Sequence, residues 1–345
     1  MKILLFSPAW IGDMVMAQSL FKVLHQEYPN VTLDVVSPPW TYDLLQRMPE
    51  VNNAYKIDVQ RGKFGWKVRH QLADSLQENH YDWAITLPIT WKSALVGYWS
   101  KAPKRTGFLG EFRYGLLNDA RRLDKEKLPY MVQRYVALGL DDYTPIPNLE
   151  TIPHPQLSTD SDNAQQWLQK LNISPEKTLV ALMPGAEFGP AKRWPTENYA
   201  AIARTLTQKN CAVIILGSPK DTETANEIVQ KSGCNLINLC GKTRLLDAID
   251  LLSCAHLAIS NDSGLMHIAA AVNIPQIAIY RSSTPEFTPP LNDKATILQA
   301  EFNNNSVDKI KIKSLDGVEG FADVTIDSVT SAIQKKLHIT NITHK

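Results

Sequence analysis

Long hydrophobic runs are missing from this 345-residue chain. No stretch is long enough to span a bilayer. The apolar run at residues 3–6 is short and soon broken by Pro8 and Asp13, so it reads as a buried strand and not as a signal peptide. A dominant charge sign is missing too. There are 36 Lys and Arg against 35 Asp and Glu, a net charge of +1, which gives no global support for binding nucleic acid. Only four cysteines occur, at Cys211, Cys234, Cys240 and Cys254, with no C-x-x-C pair and no histidine cluster beside them. Neither a disulfide framework nor a metal site is expected, and reduced thiols fit a cytoplasmic setting. The common signature loops are also absent. Without G-x-G-x-x-G after the first strand, G-x-x-x-x-G-K-[ST] or G-x-S-x-G, a dehydrogenase, a P-loop enzyme and an α/β-hydrolase each lose their main support.

What remains is a globular composition, 44% hydrophobic and 21% charged, on a chain long enough for two domains. Apolar runs near residues 3–6, 31–36, 54–57 and 83–87 alternate with helical patterns at 13–28, 41–48, 66–78 and 92–99. The alternation restarts more regularly between residues 160 and 280. Strands alternating with helices predict right-handed βαβ units and parallel sheets. The expected fold class is therefore α/β, with two doubly wound, Rossmann-like domains facing across a cleft. Pro145, Pro147, Pro153 and Pro155 mark part of a linker. The expected domains are 1–155 and 156–325. A last helix and tail, 326–345, can pack on either of them.

The chemistry-bearing motifs fall where strands end, which is where open α/β sheets bind ligands. In Trp10-Ile11-Gly12-Asp13-Met14, Asp13 begins a helix. It is either an N-cap or a carboxylate able to take a proton from an acceptor hydroxyl. The loop at residues 184–195 contains Lys192 and Arg193, either solvated or placed to neutralise a leaving diphosphate. Spacing does not say which of the two cations does so. In Ser260-Asn261-Asp262-Ser263-Gly264-Leu265-Met266-His267, the amides of Ser263 and Gly264 form an anion site at a helix start. His267 lies on the same helix face as Ser263, and Asp262 is expected to cap the helix or orient the loop. An N-capped core helix with a satisfied histidine is the plain alternative. Turns containing Ser218 and Lys242-Thr243 also follow strands. Arg61, Lys63, Lys67 and Arg69 interleave with Phe64 and Trp66. They form either a solvated helix face or a surface for an acidic acceptor or a membrane. The segments holding Arg105 and Arg113 are further acceptor candidates.

Together, Trp10–Met14, the 184–195 loop and residues 261–267 resemble the ADP-heptose:lipopolysaccharide heptosyltransferases, with the heptosyltransferase II branch nearest. Arg105-Thr106-Gly107, residues 113–119 and Phe287-Thr288-Pro289-Pro290 strengthen the resemblance, which runs over nearly the whole chain. It implies a GT-B architecture and inverting transfer of L-glycero-D-manno-heptose from ADP-heptose to the first heptose of the lipid A–Kdo–heptose core. It also implies no cofactor, no metal, no nucleic acid and no obligate protein partner. The protein would work in the cytoplasm, in peripheral contact with the inner membrane. Asp13 matches the family's general base and Lys192 its phosphate-contacting lysine. Asp262, Ser263, Gly264 and His267 match the nucleotide-diphosphate site. Lys242 and Thr243 fall near the adenosine, and Glu187 and Phe188 sit in the donor loop. Ser218 is a further candidate for the nucleotide pocket. Arg61, Lys63, Arg105 and Arg113 are the acceptor candidates. Two departures stand out: Arg281-Ser282 replaces Gly-Pro, and Ile89-Thr90 replaces a polar pair. Other readings are addition of heptose I or III, or a nucleotide-binding protein without transferase activity.

Overall fold

The computed structural model describes residues 1–60, 62–141, 147–187, 189–302 and 321–338. The chain divides into two compact units, Met1–Ser158 and Thr159–Lys345.

The first unit runs β1 (Lys2–Phe6), α1 (Ile11–Glu27), β2 (Thr32–Ser37), α2 (Pro39–Leu45), β3 (Asn53–Lys56), α3 (Trp66–Gln77), β4 (Trp83–Thr86), α4 (Trp91–Trp99), β5 (Lys104–Phe108), β6 (Asp119–Arg121) and α5 (Met131–Ala137). Its sheet has the order β3-β2-β1-β4-β5-β6, with every pair parallel. This is the Rossmann order, whose direction of winding reverses between β1 and β4. Central β1 pairs Leu5 with Val35 on one side and with Ile85 on the other. Ile3, Leu4 and Leu5 are all buried, because helices cover both faces of such a sheet.

The second unit runs α6 (Ser161–Lys170), β7 (Leu179–Met183), α7 (Thr196–Gln208), β8 (Ala212–Ile215), α8 (Thr222–Ser232), β9 (Ile237–Asn238), α9 (Leu245–Ser253), β10 (Leu257–Asn261), α10 (Gly264–Ala271), β11 (Gln276–Tyr280), β12 (Ala295–Gln299), the short pair β13 (Glu301–Phe302) and β14 (Phe321–Ala322), and α11 (Ile326–Leu337). Its six-stranded sheet repeats the same winding, β12-β11-β10-β7-β8-β9. α11 packs against α7, β11 and β12, and Val329, Ala332 and Ile333 join the core of this unit. The last helix thus packs within the second unit.

Six elements lie outside the alternation expected from the sequence: β5, β6, α5, β12, β13 and β14. The first two are short or polar, α5 has only two turns, and β12 is a half-exposed edge. Pro145 lies outside the described residues, but the end of the proline-rich stretch is held in place. Gln18 Nε2 donates to Gln156 O at 2.7 Å and Gln156 N returns a bond to Gln18 Oε1 at 2.9 Å. Ser19 Oγ donates to Pro153 O at 2.7 Å. These bonds fasten the stretch to α1, and the unit ends at Ser158 instead of residue 155.

Candidate active site

The second unit's sheet reverses winding between β7 and β10, and the loop at residues 184–195 leaves β7 at that point. One fully buried side chain pins both ends of this loop. Asn261 Nδ2 donates to Pro184 O at 2.7 Å, while Asn261 Oδ1 accepts from Trp194 N at 3.0 Å and from the Tyr199 hydroxyl at 3.1 Å. The sequence offered no role for Asn261, because its partners lie far away in the chain.

The pinned loop turns through a short 3₁₀ segment, Pro190–Lys192, and sends its two cations in different directions. Lys192 Nζ donates to the Asp262 carboxylate. Arg193 instead approaches Asp221 at 3.7 Å and Thr224 Oγ1 at 3.4 Å. Lys192 is therefore the cation placed beside the start of α10. The sequence left Asp262 either to cap that helix or to orient the loop; it does not cap the helix. The cap position belongs to Ser263, which makes no side-chain cap bond. Its hydroxyl lies 3.4 Å from Ser260 Oγ. The first amides of α10, starting at Gly264, keep their outward polarity, and with Lys192 they form a ready anion site.

His267 lies one turn into α10 and is buried. Burial pushes its pKa down to about 4, with the nearby Asp262 acting in the opposite direction and Lys192 in the same one. At neutral pH it offers this site a neutral hydrogen-bonding ring and no second positive charge.

The other donor-side candidates lie on the same carboxyl edge but are engaged locally. Glu187 accepts from Lys220 Nζ at 2.6 Å. Ser218 gives its hydroxyl to Asp221 Oδ2 at 2.7 Å. Lys242 Nζ donates to Asn238 O at 2.9 Å, and Thr243 is half-buried just before α9. Phe188 lies outside the described residues, as does Arg61. Arg281, the departure after β11, forms a fork on Asp323, with Nε to Oδ1 at 2.9 Å and Nη2 to Oδ2 at 2.6 Å. Its Nη1 donates to Arg193 O, so it braces the loop that carries Lys192.

In the first unit α1 starts at Ile11, with Trp10 as its cap residue. Asp13 therefore sits in the first turn and not at the cap. It is half-buried, and its carboxylate lies near buried Tyr135, whose pKa is raised by burial first and then by Asp13. The acceptor candidates differ from one another. Lys63 is exposed. Arg105 is half-buried, donates to Leu116 O and Ala102 O at 2.8 Å each, and lies 5.4 Å from the centre of the Tyr98 ring. Arg113 is a correction. It is fully buried and donates to the carbonyls of Phe108 and Pro88, so its guanidinium braces a loop and is not presented to a ligand. Ile89 is exposed, and Thr90 is the cap residue of α4.

Among the described residues, nearly all the exposed large apolar side chains lie in the first unit, Ile297 being the exception. Trp10, Trp40, Trp66, Trp91 and Phe112 each follow a different strand of one parallel sheet, so they share its carboxyl rim. Phe64 stacks on Trp91 with ring centres 4.9 Å apart, and Trp66 meets Trp99 edge-on at 4.7 Å. Among the described residues no group of three or more His, Cys, Asp or Glu side chains is placed to hold a metal ion, and no helix is long and apolar enough to cross a membrane.

With this geometry in place, comparison with known proteins is informative. Residues 69–317 match the family model described as glycosyltransferase family 9 (heptosyltransferase). The chain is 40% identical to lipopolysaccharide heptosyltransferase 2 of Escherichia coli K12, over 98% of each chain. It is 41% identical to lipooligosaccharide heptosyltransferase 2 of Haemophilus ducreyi, over 98% of this chain and 99% of the relative. The solved structure of E. coli ADP-heptose LPS heptosyltransferase II superposes with a TM-score of 0.84 at 39% identity, covering 98% of this chain and 99% of that one. The two six-stranded parallel sheets are those of the GT-B type, and the chain belongs to glycosyltransferase family 9, the heptosyltransferases.

Proposed function

We propose that this protein is an inverting heptosyltransferase II. It moves L-glycero-D-manno-heptose from ADP-heptose to the first heptose of the lipid A–Kdo–heptose core. The observation that carries this reading is the meeting of Lys192 with the start of α10, where the cap residue Ser263 makes no side-chain cap bond. That arrangement suits a leaving diphosphate. Asp13 takes the proton of the attacking acceptor hydroxyl as the new glycosidic bond forms at the anomeric carbon. The bond from that carbon to the diphosphate breaks, and ADP departs with its negative charge met by Lys192 and the α10 amides. ADP-heptose is the donor substrate and no cofactor is called for.

The acceptor is anchored in lipid, so the enzyme works in the cytoplasm at the face of the inner membrane. The aromatic rim and the exposed Lys63 and Lys67 support that peripheral contact. An ADP-release assay with ADP-heptose and a panel of purified truncated cores tests the reading. Turnover only with the acceptor carrying one heptose is expected. Preference for a heptose-free core would point to heptose I addition. Release with none of them would leave a nucleotide-binding protein. Asp13→Ala should bind ADP-heptose and release almost no ADP.

A further inference from the structure

The base of the loop that carries Lys192 hangs on one amide. β10 pairs with β7 so that Ser260 lies opposite Met183. One residue further on, Asn261 meets the chain as it leaves β7 at Pro184. Pro184 O can only accept and Trp194 N can only donate, so a side chain that joins them needs one donor and one acceptor on a short stem. The asparagine amide supplies both, with Nδ2 on Pro184 O at 2.7 Å and Oδ1 accepting from Trp194 N at 3.0 Å. The Tyr199 hydroxyl of α7 gives Oδ1 a second donor at 3.1 Å, which sets the direction of the amide. Trp194 is itself fixed, its Nε1 donating to Val324 O at 2.7 Å and its ring edge-on to Tyr199 at 5.1 Å. Asn261, Tyr199 and Trp194 are all buried, out of a ligand's reach. Lys192 stands two residues before the pinned Trp194 amide, and its ammonium donates to Asp262, the residue after Asn261. Ser263 and the first amides of α10 come next. Consecutive residues thus hold the loop's backbone, hold its cation and open the anion site.

A leaving-group site works when its positive groups already stand where charge develops, and a displacement of about 1 Å can cost about a hundredfold in rate. We infer that Asn261, with Tyr199 directing it, is a positioning residue for Lys192: its amide fixes the base of the loop and so the separation between the Lys192 ammonium and the α10 amides. Asn261 does not touch the substrate. The inference rests on the reading of Lys192 as the leaving-group cation.

Asn261→Asp tests this, because the two forms of the new carboxyl differ at one contact. As the acid it keeps the asparagine pattern, donating to Pro184 O and accepting from Trp194 N and the Tyr199 hydroxyl. As the anion it turns an acceptor toward the Pro184 carbonyl, and that bond is lost. Burial raises a carboxyl pKa by up to about 3–5 units, so the change falls between roughly pH 5 and pH 8. The KM for ADP-heptose and the Kd for ADP are each taken as a ratio to the wild type at the same pH. Both ratios should stay within about threefold at the acid end of that range and rise at least about tenfold beyond its alkaline end, while the acceptor KM ratio stays flat. Tyr199, Lys192, Asp262 and His267, the titratable neighbours, are present in both proteins, so the ratio removes their own contribution. A purely structural role would lower the melting temperature as pH rises and leave the donor KM of the folded protein unmoved. A folded Asn261→Asp with a donor ratio that does not change with pH therefore overturns the inference. If that variant does not fold, Tyr199→Phe keeps the ring and removes one donor from Oδ1. Its donor KM should rise about two- to tenfold at every pH, and a folded Tyr199→Phe with the wild-type donor KM overturns the inference instead. Lys192→Ala separates this from the underlying reading. An inactive Lys192→Ala beside a pH-independent Asn261→Asp removes only the role of Asn261, whereas Lys192→Ala with wild-type turnover removes the leaving-group cation itself.

Discussion

The Lys192 ammonium is held by the Asp262 carboxylate across 70 positions of sequence, and this pair joins the two loops that flank the β7–β10 switch point. Asp262 is 7% exposed and Lys192 22%. Removing the lysine therefore strands a buried anion. Lys192→Ala should lose turnover and donor affinity together, and also about 1–3 kcal/mol of stability, less than a fully buried pair because the lysine is partly solvated. Lys192→Ala combined with Asp262→Asn should recover most of the stability and none of the activity. Urea unfolding beside ADP-heptose titration measures both. An unchanged rate in Lys192→Ala would remove the lysine from the leaving-group site.

His267 should make stability depend on pH. Its folded pKa is about 4, against an unfolded value near 6.5. Between those values the unfolded chain binds the proton and the folded chain does not, so stability rises with pH through that window and is lost as pH falls. The full effect is about 3 kcal/mol. His267→Asn should flatten this part of the curve. Unfolding free energies of wild type and variant, compared from pH 4 to 7, give the difference; parallel curves would contradict the buried neutral imidazole.

Gly185 is required by its neighbour. A Cβ there would lie 2.6 Å from Asp221 Cγ and 2.7 Å from both carboxylate oxygens. Asp221 is already fixed by Ser218 N at 2.9 Å and by the Ser218 hydroxyl. Gly185→Ala should cost about 1–3 kcal/mol through overpacking and raise the KM for ADP-heptose, because Arg193 leans on the same Asp221. Gly185→Ala with wild-type melting temperature and KM would show that Asp221 can yield.

Arg281 departs from the family pattern, and its bonds show what the cation does here. Arg281→Ala frees Asp323 and the Arg193 carbonyl. It should lower stability by about 1–3 kcal/mol and raise the donor KM several-fold, with kcat at saturating donor largely kept. A fall in kcat with KM unchanged would point to a direct role in transfer.

Much of this architecture was legible in the sequence because buried parallel strands announce themselves. The run at residues 3–6 and those at the starts of both units are continuous and apolar. β5 was not legible, since Lys104 and Arg105 open it and Gly107 interrupts it. The turn into α10 was readable from Ser263-Gly264, but the partner of Asp262 was not, because ion pairs carry no periodic signal. Arg113 looked like a ligand contact for the same reason. Its burial follows from a loop that folds its carbonyls around the guanidinium, and residue type alone does not show that. The start of α1 at Ile11 was hidden because Trp10 occupies a position where Ser, Thr, Asp or Asn is usual. Asp13 thus resembled a cap although it lies inside the first turn.

The proposed membrane contact yields the last prediction. Trp66 and Trp91 are 54% and 42% exposed, and each opens a helix that starts beyond the carboxyl end of a strand. Phe64 bridges them, 5.6 Å from Trp66 and 4.9 Å from Trp91. Exposed Lys63 and Lys67 flank the rings. Tryptophan favours the headgroup region of a bilayer, and each lysine near an anionic surface adds about 1 kcal/mol. Trp66→Ser with Trp91→Ser should therefore weaken binding to anionic vesicles and raise the KM for a core acceptor embedded in them at least about tenfold. The same variant should handle a deacylated, water-soluble acceptor at the wild-type rate if the rings serve the bilayer contact proposed above. Lys63→Glu with Lys67→Glu should give the same split, with the difference shrinking at high salt. Equal losses on the soluble and embedded acceptors would place these rings at the sugar, not at the bilayer.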